Sequence, residues 1–288
     1  MHRVRQTFVD ASLWSKIVTA MDFSSKHLWI FDVDNTLIKD VEHPEPFPDA
    51  LPLWNALMEK RRTLALLTNT GRLSARQIQG AVASAGFDVS LKNTFSAGAA
   101  AAAYIHNRSP GARCFVISEG GATEDFVARG LDVTNNPPID YVAVGADRGL
   151  TFQRLNFATK MVHQGAPLLC ISGSRDYPGV YLGYEDIYIG EGSIVAAIEH
   201  ATGMKAIAIR KPLPEIVIET VKTLGFEMSD AVMVGDNPAS DIAGGKAAGL
   251  ATILVRRNPD DIIPFDADGM DMTPDLEVNS LQEVIEML

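Results

Sequence analysis

Asp32-Val33-Asp34-Asn35-Thr36 follows directly on the apolar run Leu28-Trp29-Ile30-Phe31. If that run is a buried strand, both carboxylates emerge at its C-terminal end, where open α/β sheets place their ligands. Residues two apart in extended backbone share a face, so the pair repels itself unless a cation neutralises it. A hard divalent ion suits such oxygen ligands. Ala231-Val232-Met233-Val234 repeats the design, delivering Gly235-Asp236-Asn237-Pro238-Ala239-Ser240-Asp241 at its exit. Asp236 falls at the strand end and Asp241 in the first helical turn. Taken singly, each cluster also has a reading as a turn or helix cap, because Asp near a helix N-terminus is favoured by the macrodipole.

A third strand end, Leu66-Leu67-Thr68-Asn69-Thr70-Gly71, offers hydroxyl and amide groups that suit phosphate oxygens, although the composition is also that of a common turn. Lys211 stands between the run Ala206–Ile209 and Pro212-Leu213-Pro214, a place from which it could screen crowded phosphate and carboxylate charge.

Positioning these groups requires strands. Apolar runs rich in Val, Ile and Leu recur at Leu28–Phe31, Thr63–Leu67, Arg113–Ile117, Tyr141–Val144, Pro167–Ile171, Ala206–Ile209, Ala231–Val234 and Ala251–Val255, with helical segments between them. The alternation predicts an α/β fold with parallel sheets. Thr123-Glu124-Asp125 and Pro238-Ala239-Ser240 read as helix starts, and Gly86, Gly130, Gly225 and Gly249 as helix ends. The alanine run Ala99–Ala103 reads as helix. Polar punctuation at Asn107–Gly111 and Tyr177–Tyr184 divides the chain, predicting a core of residues 1–106 and 184–288 and an inserted domain at 107–183. Val9, Leu13, Ile17 and Met21 recur every four residues, predicting an amphipathic N-terminal helical extension over about 1–26 that packs on the body or on a second subunit.

The 288 residues carry 47% hydrophobic content and a formal charge of −11. That field disfavours nucleic acid and anionic membrane as partners. No window approaches eighteen consecutive apolar residues, and Asp10, Ser15 and Lys16 break any secretory h-region, so the expected location is the cytoplasm. Cys114 and Cys170 lie in apolar runs and read as buried hydrophobes.

Taken together, Asp32-x-Asp34-x-Thr36, Thr68, Lys211 and Gly235-Asp236-x4-Asp241 resemble the four-motif signature of the haloacid dehalogenase superfamily of phosphohydrolases. Thr94-Phe95-Ser96-Ala97, Glu119-Gly120-Gly121, Gly145-Ala146-Asp147-Arg148 and the stretch from Gly190 to Glu199 are similar to its branch of nitrophenylphosphatases, nucleotide phosphatases and pyridoxal phosphate phosphatases. The resemblance implies a Rossmann-like parallel-sheet core with an inserted α/β cap, and a Mg2+-dependent phosphatase acting on a small phosphorylated metabolite. By motif position it makes Asp32 nucleophile and metal ligand, and Asp34 general acid and base whose main-chain carbonyl also meets the ion. Thr68 would hold the phosphoryl group, Lys211 would steady nucleophile and phosphate, Asp236 would bind the metal, and Asp241 would bind or support it. A homodimer formed through caps is a further implication.

Two departures stand out. Asn35 occupies a position where that branch often has glycine, and Ser172-Gly173-Ser174-Arg175-Asp176-Tyr177-Pro178 replaces a common Thr-Asn-x-Asp, which leaves the substrate open among sugar phosphates, nucleotides, pyridoxal phosphate and phosphoglycolate. Asn69, Arg175, Asp176 and Tyr177 are the expected substrate contacts, with Tyr181 and Tyr184 beside them, since aromatic and planar cationic groups can stack on a ring or meet a second anion. The same motifs could serve a phosphotransferase or mutase, or a catalytically silent protein that binds a phosphometabolite.

Overall fold

The computed structural model describes residues 22–181, 183–257 and 269–288, so the helix expected over Val9–Met21 lies outside them. In chain order the elements are β1 (Leu28–Phe31), α1 (Ala50–Glu59), β2 (Thr63–Thr68), α2 (Ala75–Ser84), β3 (Thr94–Ser96), α3 (Ala97–Arg108), β4 (Arg113–Ile117), α4 (Gly121–Ala128), β5 (Asp132–Val133), β6 (Tyr141–Val144), α5 (Phe152–His163) and β7 (Leu168–Cys170). They continue with β8 (Asp176–Tyr181), β9 (Tyr184–Ile189), α6 (Glu191–Thr202), β10 (Ile207–Ala208), α7 (Pro214–Thr223), β11 (Ala231–Gly235), α8 (Ala243–Ala248), β12 (Ala251–Val255), β13 (Leu276–Val278) and α9 (Gln282–Ile285).

Two sheets organise these elements. The first has the order β13-β12-β11-β1-β2-β3 and is parallel throughout. Strand order reverses between β1 and β11, and at such a switch point a crevice opens beyond the strand ends. Side chains alternate across the sheet. Trp29, Phe31, Leu66, Val232, Val234 and Ile253 face α1, α2 and α9, while Leu28, Ile30, Leu67, Ala231 and Met233 face α7 and α8. On the first face Phe31, Trp54 and Phe87 pack in succession, with ring centroids 5.5 and 5.3 Å apart. Truncating a fully buried aromatic of this kind costs about 3–5 kcal/mol.

The second sheet has the order β10-β7-β6-β4-β5, again parallel, and β8 and β9 form a separate antiparallel hairpin. This sheet draws strands from Arg113 to Ala208. Ala97, Ala101 and Ile105 of α3 pack on one of its faces, and Ile194, Val195 and Ile198 of α6 on the other. We therefore propose a cap running from about 97 to about 209, wider than 107–183 at both ends. The polar stretches behind the narrower boundaries have other origins: Asn107 and Arg108 end a helix whose apolar side faces the cap, and Tyr177–Tyr184 spans the hairpin turn.

The second body docks on the first through α4. Gly121 N–H donates to the Arg72 carbonyl at 3.1 Å, Ser74 Oγ to Glu124 at 2.8 Å and Ala75 N–H to Asp125 at 3.0 Å. Two carboxylates thus meet the N-terminus of α2, where the helix dipole favours negative charge. No helix among the described residues is long and apolar enough to cross a membrane.

Candidate active site

Asp32 follows the last residue of β1, and its N–H donates to the Val234 carbonyl of β11 at 2.9 Å, which places it on the switch point itself. Asp34 lies on the same side of the turn. Val41 N–H donates to its Oδ1 at 2.9 Å and Thr70 Oγ to its Oδ2 at 3.1 Å. Between them and the next helix, Asn35 adopts φ 56°. Among non-glycine residues asparagine tolerates this left-handed conformation well, so the departure from glycine keeps the backbone that glycine would serve.

β11 brings the second acidic cluster to the same place. Lys211 Nζ, with a side chain only 1% exposed, lies 2.6 Å from Asp32 Oδ1, 2.7 Å from Asp241 Oδ1 and 2.7 Å from the Leu67 carbonyl. Asp241 Oδ2 accepts from Asn237 N–H at 3.1 Å, and Thr36 Oγ reaches Asp236 at 3.4 Å. Asp241 fits only because residue 235 lacks a side chain. A Cβ there would stand 2.5 Å from the Cβ of Asp241 and closer still to its carboxylate. The predicted helix start at Pro238 is a π-type turn over Pro238–Ile242, capped by the Asn237 side chain and continued by α8.

At the end of β2, Thr68 Oγ donates to Thr70 Oγ at 3.1 Å, which in turn donates to Asp34, so the two hydroxyls form a short relay to that carboxylate. Sequence reasoning assigned Thr70 no role of its own, although it stands in the same Thr-Asn-Thr run. Asn69 stands between these two threonines. Expected as a substrate contact, it uses both ends of its side-chain amide on the main chain of Lys211: Nδ2 donates to the Lys211 carbonyl at 3.0 Å, and Oδ1 accepts the Lys211 N–H at 2.9 Å. It positions the lysine.

The electrostatics follow from burial. Loss of solvent raises the Asp32 carboxyl well above its ordinary value; Lys211 opposes this, and Asp241 and Asp236 add to it. Burial likewise raises Asp34 against the hydrogen bonds from Thr70 and Val41. Asp236 is pushed up to about 7, by burial first and then by the charge of Asp241. For Lys211, burial works against the charge, but Asp241 and Asp32 outweigh it and hold the ammonium charged.

One ligand oxygen from each of Asp32, Asp236 and Asp241 lies within 4.8 Å of the others. Three carboxylates facing a single ammonium leave an excess of negative charge in a poorly solvated place, and an all-oxygen donor set of this kind suits Mg2+. The residues therefore fit a hard divalent cation.

A charged cluster that the sequence reading did not single out for function links the two bodies. Arg72 pairs with Glu42 at 3.0 Å, and Arg148 pairs with Glu119 at 2.7 Å and with Glu42 at 3.8 Å, so core and cap share one charged cluster. Arg175, Asp176 and Tyr177 occupy the start of the hairpin. Arg175 gives its carbonyl to Gly190 N–H and Ser193 Oγ, Asp176 is exposed opposite Ile189, and the Tyr177 ring lies 5.6 Å from that of Tyr188. The structure thus gathers Asp32, Asp34, Thr68, Lys211, Asp236 and Asp241; Asp176 and Tyr177 open β8, and Arg175 directly precedes it.

Comparison with known proteins adds an independent line. A family model described as haloacid dehalogenase-like hydrolase matches residues 29–132, and a second hydrolase-like model of the same kind matches 208–284. The stretch between them lies within the second body. The chain is 29% identical over 255 residues to the ribonucleotide monophosphatase NagD of Escherichia coli K12, covering 88% of this chain and 96% of that one. It is 26% identical to a dihydroxyacetone phosphatase of Corynebacterium glutamicum, covering 79% and 80% respectively. Among solved structures, a p-nitrophenyl phosphatase from Archaeoglobus fulgidus superposes with a TM-score of 0.81 at 27% identity, over 91% of this chain and 99% of the other.

Proposed function

Because the chain belongs to the haloacid dehalogenase-like hydrolases and is a phosphoric monoester hydrolase, we propose that it cleaves small phosphorylated metabolites by passing the phosphoryl group to Asp32. The observation that carries this reading is the 2.6 Å contact between Lys211 and Asp32, made across 179 residues of sequence and repeated to Asp241 at 2.7 Å. It aims an ammonium at the carboxylate that must meet a dianion.

In the first step an Asp32 carboxylate oxygen bonds to phosphorus while the bond from phosphorus to the ester oxygen breaks, and protonated Asp34 gives its proton to that oxygen. Burial raises the Asp34 carboxyl above its ordinary value, the direction a proton donor requires. In the second step Asp34 takes a proton from water as the water oxygen bonds to phosphorus, and the acyl phosphate separates into inorganic phosphate and free Asp32. Thr68 and Lys211 hold the phosphoryl oxygens, and Asn69 keeps Lys211 in register. Asp32, Asp236 and Asp241 would hold Mg2+, which when bound offsets the negative charge gathered here. The cap excludes bulk water and large substrates, which favours small esters. The relatives named as acting on nucleotides and dihydroxyacetone phosphate belong to that class.

A panel of phosphorylated metabolites, assayed with and without Mg2+ on the native chain and on Asp32→Asn, tests this. Phosphate release should require both the ion and Asp32. Transfer to an added alcohol without free phosphate would replace hydrolysis by phosphotransfer, and native-rate release by the Asp32→Asn protein would remove the nucleophile.

A further inference from the structure

Arg210 stands where the chain passes from cap to core. Ile207 and Ala208 pair with Leu169 and Cys170 in the second sheet, and Ile209 N–H still donates to the Cys170 carbonyl at 2.9 Å. Two residues later Lys211 has its ammonium on Asp32. The crossing therefore falls between two neighbouring cations. One of the two side chains enters the core site, and the other stays against the cap at Gly173.

The cap makes room for it with Gly173. A Cβ on that glycine would stand 2.6 Å from Nη2 of Arg210 and closer still to Nε and Cζ, so the guanidinium fills the space a side chain at 173 would need. The arrangement leaves the charge poorly matched. Nε of Arg210 is buried without a hydrogen-bond partner, and Nη1 donates to the Lys211 carbonyl at a long 3.3 Å. Among the described residues no carboxylate forms an ion pair with it, although the chain carries 36 acidic residues. Glu191, buried at the start of α6 with a carboxylate oxygen 3.8 Å from where a Cβ of Gly71 would stand, is not paired with it either. A partly buried cation lacking an anion costs free energy that a bound anion would recover.

We infer that Arg210, whose guanidinium Gly173 makes room for, reads a second anionic group, a carboxylate or a second phosphate, on the leaving-group portion of the substrate. This rests on the proposed phosphatase chemistry, which puts the transferring phosphoryl group on the core carboxylates and directs the rest of the ester toward the cap. The planar guanidinium fork matches either anion. The favoured substrates are then phosphomonoesters of hydroxy acids or sugar bisphosphates, and esters of neutral alcohols are poorer.

The test compares two matched pairs on the full chain with Mg2+: 3-phosphoglycerate against glycerol 3-phosphate, which differ by a carboxylate in place of a hydroxymethyl group, and a sugar bisphosphate against its monophosphate. The quantity read is the ratio of kcat/KM within each pair, so any loss common to both members cancels. The native protein should favour the anionic member of at least one pair by about tenfold to a hundredfold, the range of one charge-assisted hydrogen bond. Arg210→Gln should bring that ratio to about one through KM, Arg210→Lys should restore part of it, and Gly173→Ala, which displaces the guanidinium, should shrink it. A native ratio near one in both pairs, or a ratio that survives in Arg210→Gln, overturns the inference. Should no ester be turned over, the phosphatase reading falls instead, and equilibrium binding of the same pairs then decides on Arg210, with the same ratio expected.

Discussion

Gly235→Ala tests how the site is held together, because one methyl group is aimed at one carboxylate. The added Cβ would lie 2.5 Å from the Cβ of Asp241, nearer to its carboxylate, and under any contact distance that packed side chains tolerate. Asp241 has nowhere to retreat: it is 1% exposed, bonded to Lys211 at 2.7 Å and to Asn237 N–H at 3.1 Å. Overpacking of this kind costs about 1–3 kcal/mol. The same substitution at Gly80, in the interior of α2 with nothing within 4 Å of the new methyl, should instead stabilise by about 0.5–1 kcal/mol, since alanine is the better helix former. The two variants should therefore differ by about 1.5–4 kcal/mol in urea unfolding, the sum of those two ranges. Trp29 and Trp54, two of the chain's three tryptophans, lie in the core of the first sheet, so their fluorescence reports on the body that carries the site. Displacing Asp241 and Lys211 by a fraction of an ångström should also lower kcat by about a hundredfold in Gly235→Ala and leave it unchanged in Gly80→Ala. A Gly235→Ala protein within about 0.5 kcal/mol of native and at native kcat would refute the packing argument.

Lys211→Met removes the ammonium from two buried carboxylates, and unfolding in the presence of chelator should show a loss of about 3–5 kcal/mol that Mg2+ reduces; equal stability with and without the substitution would contradict the role assigned to Lys211. Asp125, which receives Ala75 N–H and Ser96 Oγ where cap meets core, is raised by burial from 3.8 to about 6. The folded state thus holds this proton more tightly than the unfolded chain does, so its cost is absent below pH 4, grows as pH rises toward 6, and reaches about 3 kcal/mol above that. Urea unfolding of Asp125→Asn should gain on the native protein between pH 4 and 7 by up to that amount, and a stability difference that does not change with pH would contradict the assignment.

Elements with long buried runs were legible because their chemistry is redundant. In β1, β2, β4, β6, β11 and β12 nearly every residue is apolar and buried, so the run itself announces a central parallel strand. The short strands β3, β5 and β13 carry two or three residues each, too few for a period to show. The hairpin β8–β9 alternates aromatic and polar residues around Pro178 and Gly179 and was read as a boundary. At the site, the carboxylates were legible from their place after apolar runs. The partners that hold them were not, because each is supplied by distant chain: Asn69 serves a main chain 142 residues away, and Thr70 a carboxylate 36 residues away. A local reading gives such groups the nearest plausible task, which for Asn69 was the substrate.

The claim on which the rest depends is that phosphorus is transiently bonded to Asp32. Borohydride added during steady-state turnover reduces an acyl phosphate to the alcohol, and peptide mapping then locates the reduced side chain. The account predicts reduction at position 32 that requires substrate and Mg2+ and is absent without turnover. Full phosphate release with Asp32 unmodified, or with the reduced residue found elsewhere in the chain, would contradict it.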